Sequence, residues 1–437
     1  MNYFKLGDII WQRVFGYPMG PEAKRFWQNV SFVSVGTLGA SVLGFFVMIV
    51  AGRILGPFEY GKANLVFSIG SVLLLVMTLG FPYALVKNIV QEREVKRIVP
   101  SLFVITIAWA FAMTLVLLLV SHPLSRLLRV DLLVFLFAIA FALTHVFVVV
   151  SKSLFQGLQQ FGRFAAFHVL SALFFVLFFF GFANLGEDKS FTSLIFAEIL
   201  RWLFPVLIGF FLLRSLIFPM RIHWKNTKTL LSFSIWVFLG LTPGYLFGYI
   251  DRLMIHYFLG STAVGFYSAY VLSSTVMLER GLGVFLAVFF PYSSAAPHKK
   301  ILFRKINRFM AFLAVPATGL LYGIIAFALL LFGPEYEFNV VLILLFSVNG
   351  FLFFVSSIYS WLLFSMEIKT VRFGAFIPWA GLVINVFCNT LLIPVIGLYG
   401  AVVATIAAFL FVIVSTNIYF ATMKKEVPEQ KHVETSR

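Results

Sequence analysis

A helix needs about 20 consecutive apolar residues to cross the hydrocarbon core of a bilayer. This chain supplies such a run roughly twelve times. The runs cover residues 29–51, 63–84, 99–121, 130–152, 163–184, 191–213, 229–250, 262–290, 309–332, 339–364, 372–394 and 398–422. Only 11% of residues are charged, where a soluble chain carries about 25%. Mean hydropathy is +1.00. So much apolar surface has no place in water. The alternating pattern of a membrane barrel is missing, so the class is all-α integral membrane, with about twelve spanning helices.

Lysine and arginine set the orientation. With the N-terminus inside, the inner segments hold about 25 of them and the outer loops about six. The inner set includes Lys87, Lys96 and Arg97, then Arg214, Arg221 and Lys228, then Lys299, Lys300, Arg304, Lys305 and Arg308. The outer set is Arg53, Lys62, Arg126, Arg129, Lys189 and Arg252. That bias puts both termini in the cytoplasm. Residues 1–27 carry Lys5, Asp8, Arg13, Glu22, Lys24 and Arg25 with no long apolar core, which is not the pattern of a cleavable signal.

A repeat divides the chain. Residues 55–61 read L-G-P-F-E-Y-G and residues 259–265 read L-G-S-T-A-V-G. Both are Leu-Gly-x4-Gly, both lie between two apolar runs, and about 204 residues separate them. The expectation is two similar six-helix lobes, 29–220 and 221–423, flanked by a cytoplasmic N-terminal segment 1–28 and a cytoplasmic tail 424–437. The polar segment from Arg214 to Lys228 is the natural midpoint. Gly56, Gly61, Gly260 and Gly265, with Arg53 and Arg252 beside them, are the expected hinge or gate.

Charges inside a span cost about 2.5–3.5 kcal/mol each on insertion scales, so each needs a reason. Glu198 and Arg201 are three apart on one helical face and can pair. Glu279 and Arg280 fall near the middle of the eighth span, and Asp251 and Arg252 fall at the outer end of the seventh. Two readings stand side by side: a polar central cavity that meets an ionic substrate, or buried ion pairs that hold helices in register. Arg201 and Arg280 are the candidate substrate contacts. Glu198, Glu279 and Asp251 are the candidate coupling or ion-pair acids. His145 and His168 suit hydrogen-bonded packing, and Asn385 and Asn389, four apart, suit interhelical hydrogen bonding.

Several classes are excluded. No phosphate-cradling Gly-rich Lys-Ser/Thr loop, His-Glu-x-x-His or nucleophile elbow is present, so no catalytic residue is assigned. A single cysteine, Cys388, allows no intramolecular disulfide. No carboxylate cluster has metal-ligand spacing. The net charge of +16 is topological and not a nucleic-acid surface.

Four stretches resemble one family. R-I-L-G-P-F-E-Y-G-K-A-N (53–64), S-L-F-Q-G-L-Q-Q-F-G-R-F-A (153–165), D-R-L-M-I-H-Y-F-L-G-S-T-A-V-G-F-Y-S (251–268) and N-T-L-L-I-P-V-I-G-L-Y-G-A-V-V-A-T (389–405) follow in order along the chain. They are similar to segments of the polysaccharide-type (Wzx-like) flippases. These form a branch of the multidrug/oligosaccharidyl-lipid/polysaccharide exporter superfamily. The resemblance implies two six-helix lobes around a central cavity and alternating access. It also implies a polyprenyl-pyrophosphate-linked glycan carried from the inner to the outer leaflet of the plasma (inner) membrane. Membrane lipids and glycan polymerase or other biosynthesis proteins are the further partners of this reading. No cofactor is expected beyond a coupling proton or sodium ion. The alternative is a cation-coupled multidrug exporter of the related branch, which relies on intramembrane carboxylates. Here each such acid has an arginine beside or near it.

Overall fold

The computed structural model describes residues 21–91, 95–185, 189–218, 227–296, 298–366 and 368–423. Among them every regular element is helical. We number the helices α1 Pro21–Thr78, α2 Phe81–Gln91, α3 Val95–Leu119, α4 Ser121–Leu127, α5 Leu132–Gly157, α6 Phe161–Leu185, α7 Phe191–Ile217, α8 Thr227–Leu259, α9 Ser261–Val271, α10 Met277–Ala295, α11 Lys299–Phe332, α12 Val340–Phe364, α13 Ile368–Ile396 and α14 Leu398–Thr422. Most of the N-terminal segment 1–28 and all of the tail 424–437 lie outside the described residues.

Ten of these helices are long and apolar enough to cross a membrane. Two features hide the other two expected spans. The first is a stretch of 43 residues, Gly36–Thr78, that holds two spans in one helix. They join at Gly56, whose φ of 72° and ψ of 168° break the helix. Glycine tolerates that left-handed φ, and Pro57 offers no N–H to the preceding turn. The second is the eighth span, which α9, a five-residue π-turn at Leu272–Val276 and α10 cover together. The segment 52–62 is therefore helix on both sides of a kink and not a loop. The seventh span also runs further than its apolar run suggests. It continues to Leu259, which puts Asp251 and Arg252 inside the helix and not at its end.

α1 packs on α5 and α6, α6 on α7, and α2 on α5. In the second half α13 packs on α14, α12 on α11 and α14, and α13 on α8. The two halves meet chiefly where α1 crosses α8 and α9. Many buried serine and threonine hydroxyls are satisfied within their own helices, as in Ser68 to the Asn64 carbonyl at 2.7 Å and Thr416 to the Val412 carbonyl at 2.8 Å.

The apolar core is not split at the chain midpoint. One cluster holds the first half together with Ile255, Val264, Phe332, Phe346, Ile393 and Val402 from the second. A separate cluster holds Leu282, Phe303, Tyr359, Ile377 and Phe420. The residues of the second half that join the first lie at the ends of their helices nearest Gly260. Those of the separate cluster lie towards the opposite ends. The halves are thus fused at the end that carries the α1 kink and form distinct cores away from it.

Candidate functional site: three polar centres in an apolar bundle

The two Leu-Gly-x4-Gly repeats touch each other. Gly260, with φ of 87°, opens α9 just as Gly56 opens the second half of α1. A Cβ on Gly61 would lie 1.9 Å from the carbonyl oxygen of Ser261, and a Cβ on Gly265 would lie 1.9 Å from that of Pro57. Pro57 and Ser261 hold equivalent places in the two repeats. The two contacts are one contact seen from either side of an approximate two-fold axis. Both glycines serve close backbone approach, since neither has a positive φ.

Further links between the halves surround this crossing. The Tyr336 hydroxyl donates to the Gly52 carbonyl at 3.0 Å, and its ring packs edge-on against Tyr60. His256 Nε2 lies 2.9 Å from the Arg129 carbonyl. A carbonyl only accepts, so Nε2 carries the proton. Nδ1 then accepts from the Ser261 hydroxyl at 3.3 Å when the ring is neutral. The Arg129 guanidinium sits over the Tyr257 ring at 4.2 Å. Arg53 is exposed at this end, against Gly333.

The second centre is built on Asp251. Its carboxylate is buried and receives three side chains from three other helices. Asn389 donates to Oδ1 at 2.7 Å, Tyr267 to Oδ2 at 2.7 Å, and Thr405 lies 2.8 Å from Oδ2. Asn385 accepts from Asn389 at 3.1 Å and reaches Thr405 at 3.3 Å. Oxygen is plentiful here and donors are few. Thr405 has one hydroxyl proton for two acceptors, Asp251 and the Ala401 carbonyl at 2.9 Å. Asn389 Oδ1 is buried with no hydrogen-bond partner. Arg252 turns away, donating to Ser268 at 3.0 Å and to the Gly248 carbonyl at 3.0 Å. The adjacent acid and base therefore belong to different networks.

The third centre lies among α5, α6 and α7. Arg201 Nη2 meets Glu198 Oε1 at 2.8 Å, the pairing that their spacing predicts. The same oxygen faces Trp202 Nε1 at 3.4 Å and His145 Nε2 at 3.5 Å. The other imidazole nitrogen of His145 contacts the Phe141 carbonyl at 2.9 Å, and its ring stacks on Phe141. The Arg201 guanidinium lies over Phe175 at 4.4 Å and Trp202 at 4.9 Å. Lys152 Nζ is 5.0 Å from the Trp202 ring, and the His168 ring centroid is 5.9 Å from it. Arg201, Lys152 and two imidazoles thus surround one indole, and Arg201 and His145 also reach the carboxylate.

The remaining sequence candidates are placed apart from these centres. Glu279 is exposed at the start of α10. Tyr245 is within electrostatic range of Glu279, Tyr83 and Tyr249, and Tyr83 and Tyr245 line a small cavity where the halves face each other. The side chain of Arg280 lies outside the described residues. Sequence reasoning missed Tyr267, Thr405, Trp202, Lys152 and Tyr336. The first two stand in the motifs quoted above, one residue from the end and at the end respectively. Trp202 and Lys152 carry no sequence signal that separates them from interfacial residues.

A bundle of this kind, with paired kinks and a near-two-fold crossing, has the fold of the multidrug/oligosaccharidyl-lipid/polysaccharide exporter superfamily. A multidrug resistance MATE family transporter of that superfamily, solved inward-facing, superposes with a TM-score of 0.59 at 14% identity, over 89% of this chain and 98% of its own. The lipid II flippase MurJ in an inward closed conformation gives 0.59 at 12% identity, over 89% of this chain and 87% of its own. An outward-facing MATE family transporter gives 0.57 at 15% identity, over 91% and 96%. Curated protein sequences give no match. Residues 26–296 match the family model described as polysaccharide biosynthesis protein, and the chain belongs to that family. It is a multi-pass membrane protein with a transporter fold.

Proposed function

We propose that this protein flips a polyprenyl-pyrophosphate-linked oligosaccharide, a repeat unit of cell-surface polysaccharide, from the inner to the outer leaflet of the plasma membrane. It does so by alternating access between two lobes, 29–220 and 221–423, with both termini in the cytoplasm and no catalytic residue. Arg201 carries the reading. A guanidinium deep in a bundle, backed by Lys152, His145 and His168, is a receptor for a doubly charged phosphate group, since arginine binds phosphate oxygens with a fork of donors. A cationic drug at this centre would instead need a carboxylate free of cations, and Glu198 is held by Arg201.

The glycine crossing then acts as the outer gate, with Arg53, Gly56, Gly61, Arg252, Gly260 and Gly265 around it. The polar centre at Asp251 fits the coupling ion. Its surplus of oxygens suits either a proton or a sodium ion, and its four helices, α8, α9, α13 and α14, all lie in one lobe. Glu279, exposed at the start of α10, is a further coupling or ion-pair acid of this reading. Membrane lipids and glycan-assembly proteins are its neighbours in the membrane.

The test is translocation by purified protein in liposomes, using a fluorescent polyprenyl-pyrophosphate-linked sugar and a leaflet-accessibility readout. Wild-type protein moves the lipid. Arg201→Ala lowers the rate by about a hundredfold, in line with truncating one partner of a buried charge pair, and Arg201→Lys restores part of it. Gradient-driven efflux of a cationic dye without movement of any lipid-linked sugar would instead select the drug-exporter reading.

A further inference from the structure

We infer that Glu198 is an internal stand-in for the substrate's phosphate, and that the lipid is loaded by exchanging that carboxylate for a phosphate on Arg201. The inference rests on the flippase reading and names how its anion site is kept in order when empty.

An arginine inside a bilayer bundle is costly without a counter-ion. Glu198 supplies one, three residues back on the same face of α7, with Nη2 to Oε1 at 2.8 Å. A carboxylate and a phosphate present the same pair of acceptor oxygens to a guanidinium, so the site rests with a mimic of its ligand in place. The mimic must also leave at low cost. A carboxylate pulled off its arginine inside a membrane would ordinarily be stranded. Here it is not, because Oε1 already faces the Trp202 indole N–H at 3.4 Å, and His145 Nε2 at 3.5 Å is a second donor when the ring is the imidazolium, since Nδ1 gives its proton to the Phe141 carbonyl. Both are longer than a good hydrogen bond, which leaves them room to tighten as Arg201 moves away.

Both receivers are fixed in place. His145 is held by its contact with the Phe141 carbonyl and by stacking on that ring, with centroids 3.9 Å apart. Trp202 is packed against Phe167 and buried. Arg201, by contrast, is the more accessible partner, with 20% of its side chain exposed against 9% for Glu198. The guanidinium can therefore swing towards an incoming ligand while the carboxylate stays where its receivers are. Among the described side chains, Lys152 from α5 and His168 from α6 also approach this centre, on the side of Trp202.

Glu198 thus taxes affinity: the ligand binds only the fraction of molecules in which Arg201 has left it. Removing the tax tightens binding but slows release, because nothing returns to displace the phosphate. The probe is farnesyl pyrophosphate, a prenyl pyrophosphate without sugar, titrated into purified full-length protein in detergent. Glu198→Gln should bind it about tenfold tighter, as expected if Arg201 is unengaged about a tenth of the time. The same variant in liposomes should show a lower KM with a lower kcat. Arg201→Ala should abolish binding, and the gain should vanish in the double variant. Trp202→Phe removes the receiving indole N–H and keeps an aromatic ring, so it should weaken binding several-fold. A folded Glu198→Gln protein with unchanged or weaker affinity overturns the inference. If Glu198→Gln does not fold, an unchanged affinity in Trp202→Phe overturns it instead. Failure of the wild-type protein to bind the probe at all would count against the flippase reading itself.

Discussion

Transport should be lost when Gly61 and Gly265 are both replaced by alanine. Each new methyl group would sit 1.9 Å from a backbone oxygen of the facing repeat, where real Cβ contacts stay above 3.0 Å. Backbone oxygen cannot rotate away as a side chain can, so α1 and α9 must separate. Overpacking a close interface costs about 1–3 kcal/mol per site, and this interface joins the two halves at the kinked end of the molecule. One substitution alone should already break most of the crossing. The two contacts are the same contact under exchange of the repeats, so the double variant should lose less than the sum of the singles. Gly39→Ala and Gly323→Ala, which have open space around the new methyl, are the silent controls. The readouts are lipid translocation in liposomes and the labelling rate of Tyr336→Cys, placed beside the crossing. Faster labelling with loss of transport is the expected pair. Wild-type rates in both assays would show that the crossing does not gate.

That crossing was legible in the sequence as a repeat, but not as a contact. The spacing of Leu-Gly-x4-Gly gave the two hinges, and hydropathy gave twelve spans. Neither says that the hinges lie on each other, because close backbone approach leaves no trace except the glycines that permit it. The kinks themselves were half visible: Pro57 marks one, while Gly260 stands alone before Ser261. Hydropathy erred at the end of α8. Asp251 and Arg252 interrupt an apolar run, and on sequence alone that reads as the edge of the membrane. The helix runs on through them because each polar group finds a partner within the bundle, on α9, α13 and α14 for the acid, and on α8 itself and α9 for the base.

The pairing of Glu198 with Arg201 was readable from the three-residue spacing, since helical geometry alone brings such residues together. What surrounds the pair was not readable. His145, Lys152 and His168 come from two other helices, and their convergence on Trp202 depends on how α5 and α6 rotate against α7. Asn385 and Asn389 were recognisable as a polar face on α13, with the correct expectation of interhelical bonding. Asp251, the partner of Asn389, lies 138 residues before it, beyond the reach of any local pattern. Local periodicity therefore finds the members of a membrane polar centre one helix at a time, and packing alone assembles them.

The Asp251 centre gives the other large expected effect. Asp251→Asn keeps the shape and most hydrogen bonds but removes the charge. It should fold, insert and lose the response of transport to an imposed pH or sodium gradient by about a hundredfold, on the scale of a buried charge worth about 3 kcal/mol. Asp251→Ala should behave differently. It strands the Tyr267 hydroxyl and one N–H of the Asn389 amide in a buried site, at about 1–3 kcal/mol for each unsatisfied group, while Thr405 keeps the Ala401 carbonyl. That sum is a large fraction of the stability of many domains, so this variant should be poorly folded. The comparison separates a coupling role from a structural one. A purely structural acid would leave Asp251→Asn gradient-driven like the wild type. Thermal unfolding in detergent supplies a second readout free of transport. Sodium should raise the wild-type Tm and not that of Asp251→Asn if the ion is sodium. A proton-coupled centre should show no sodium dependence in either protein, with the wild-type stability alone responding to pH. Gradient-driven transport by Asp251→Asn at the wild-type rate would remove Asp251 from the coupling path.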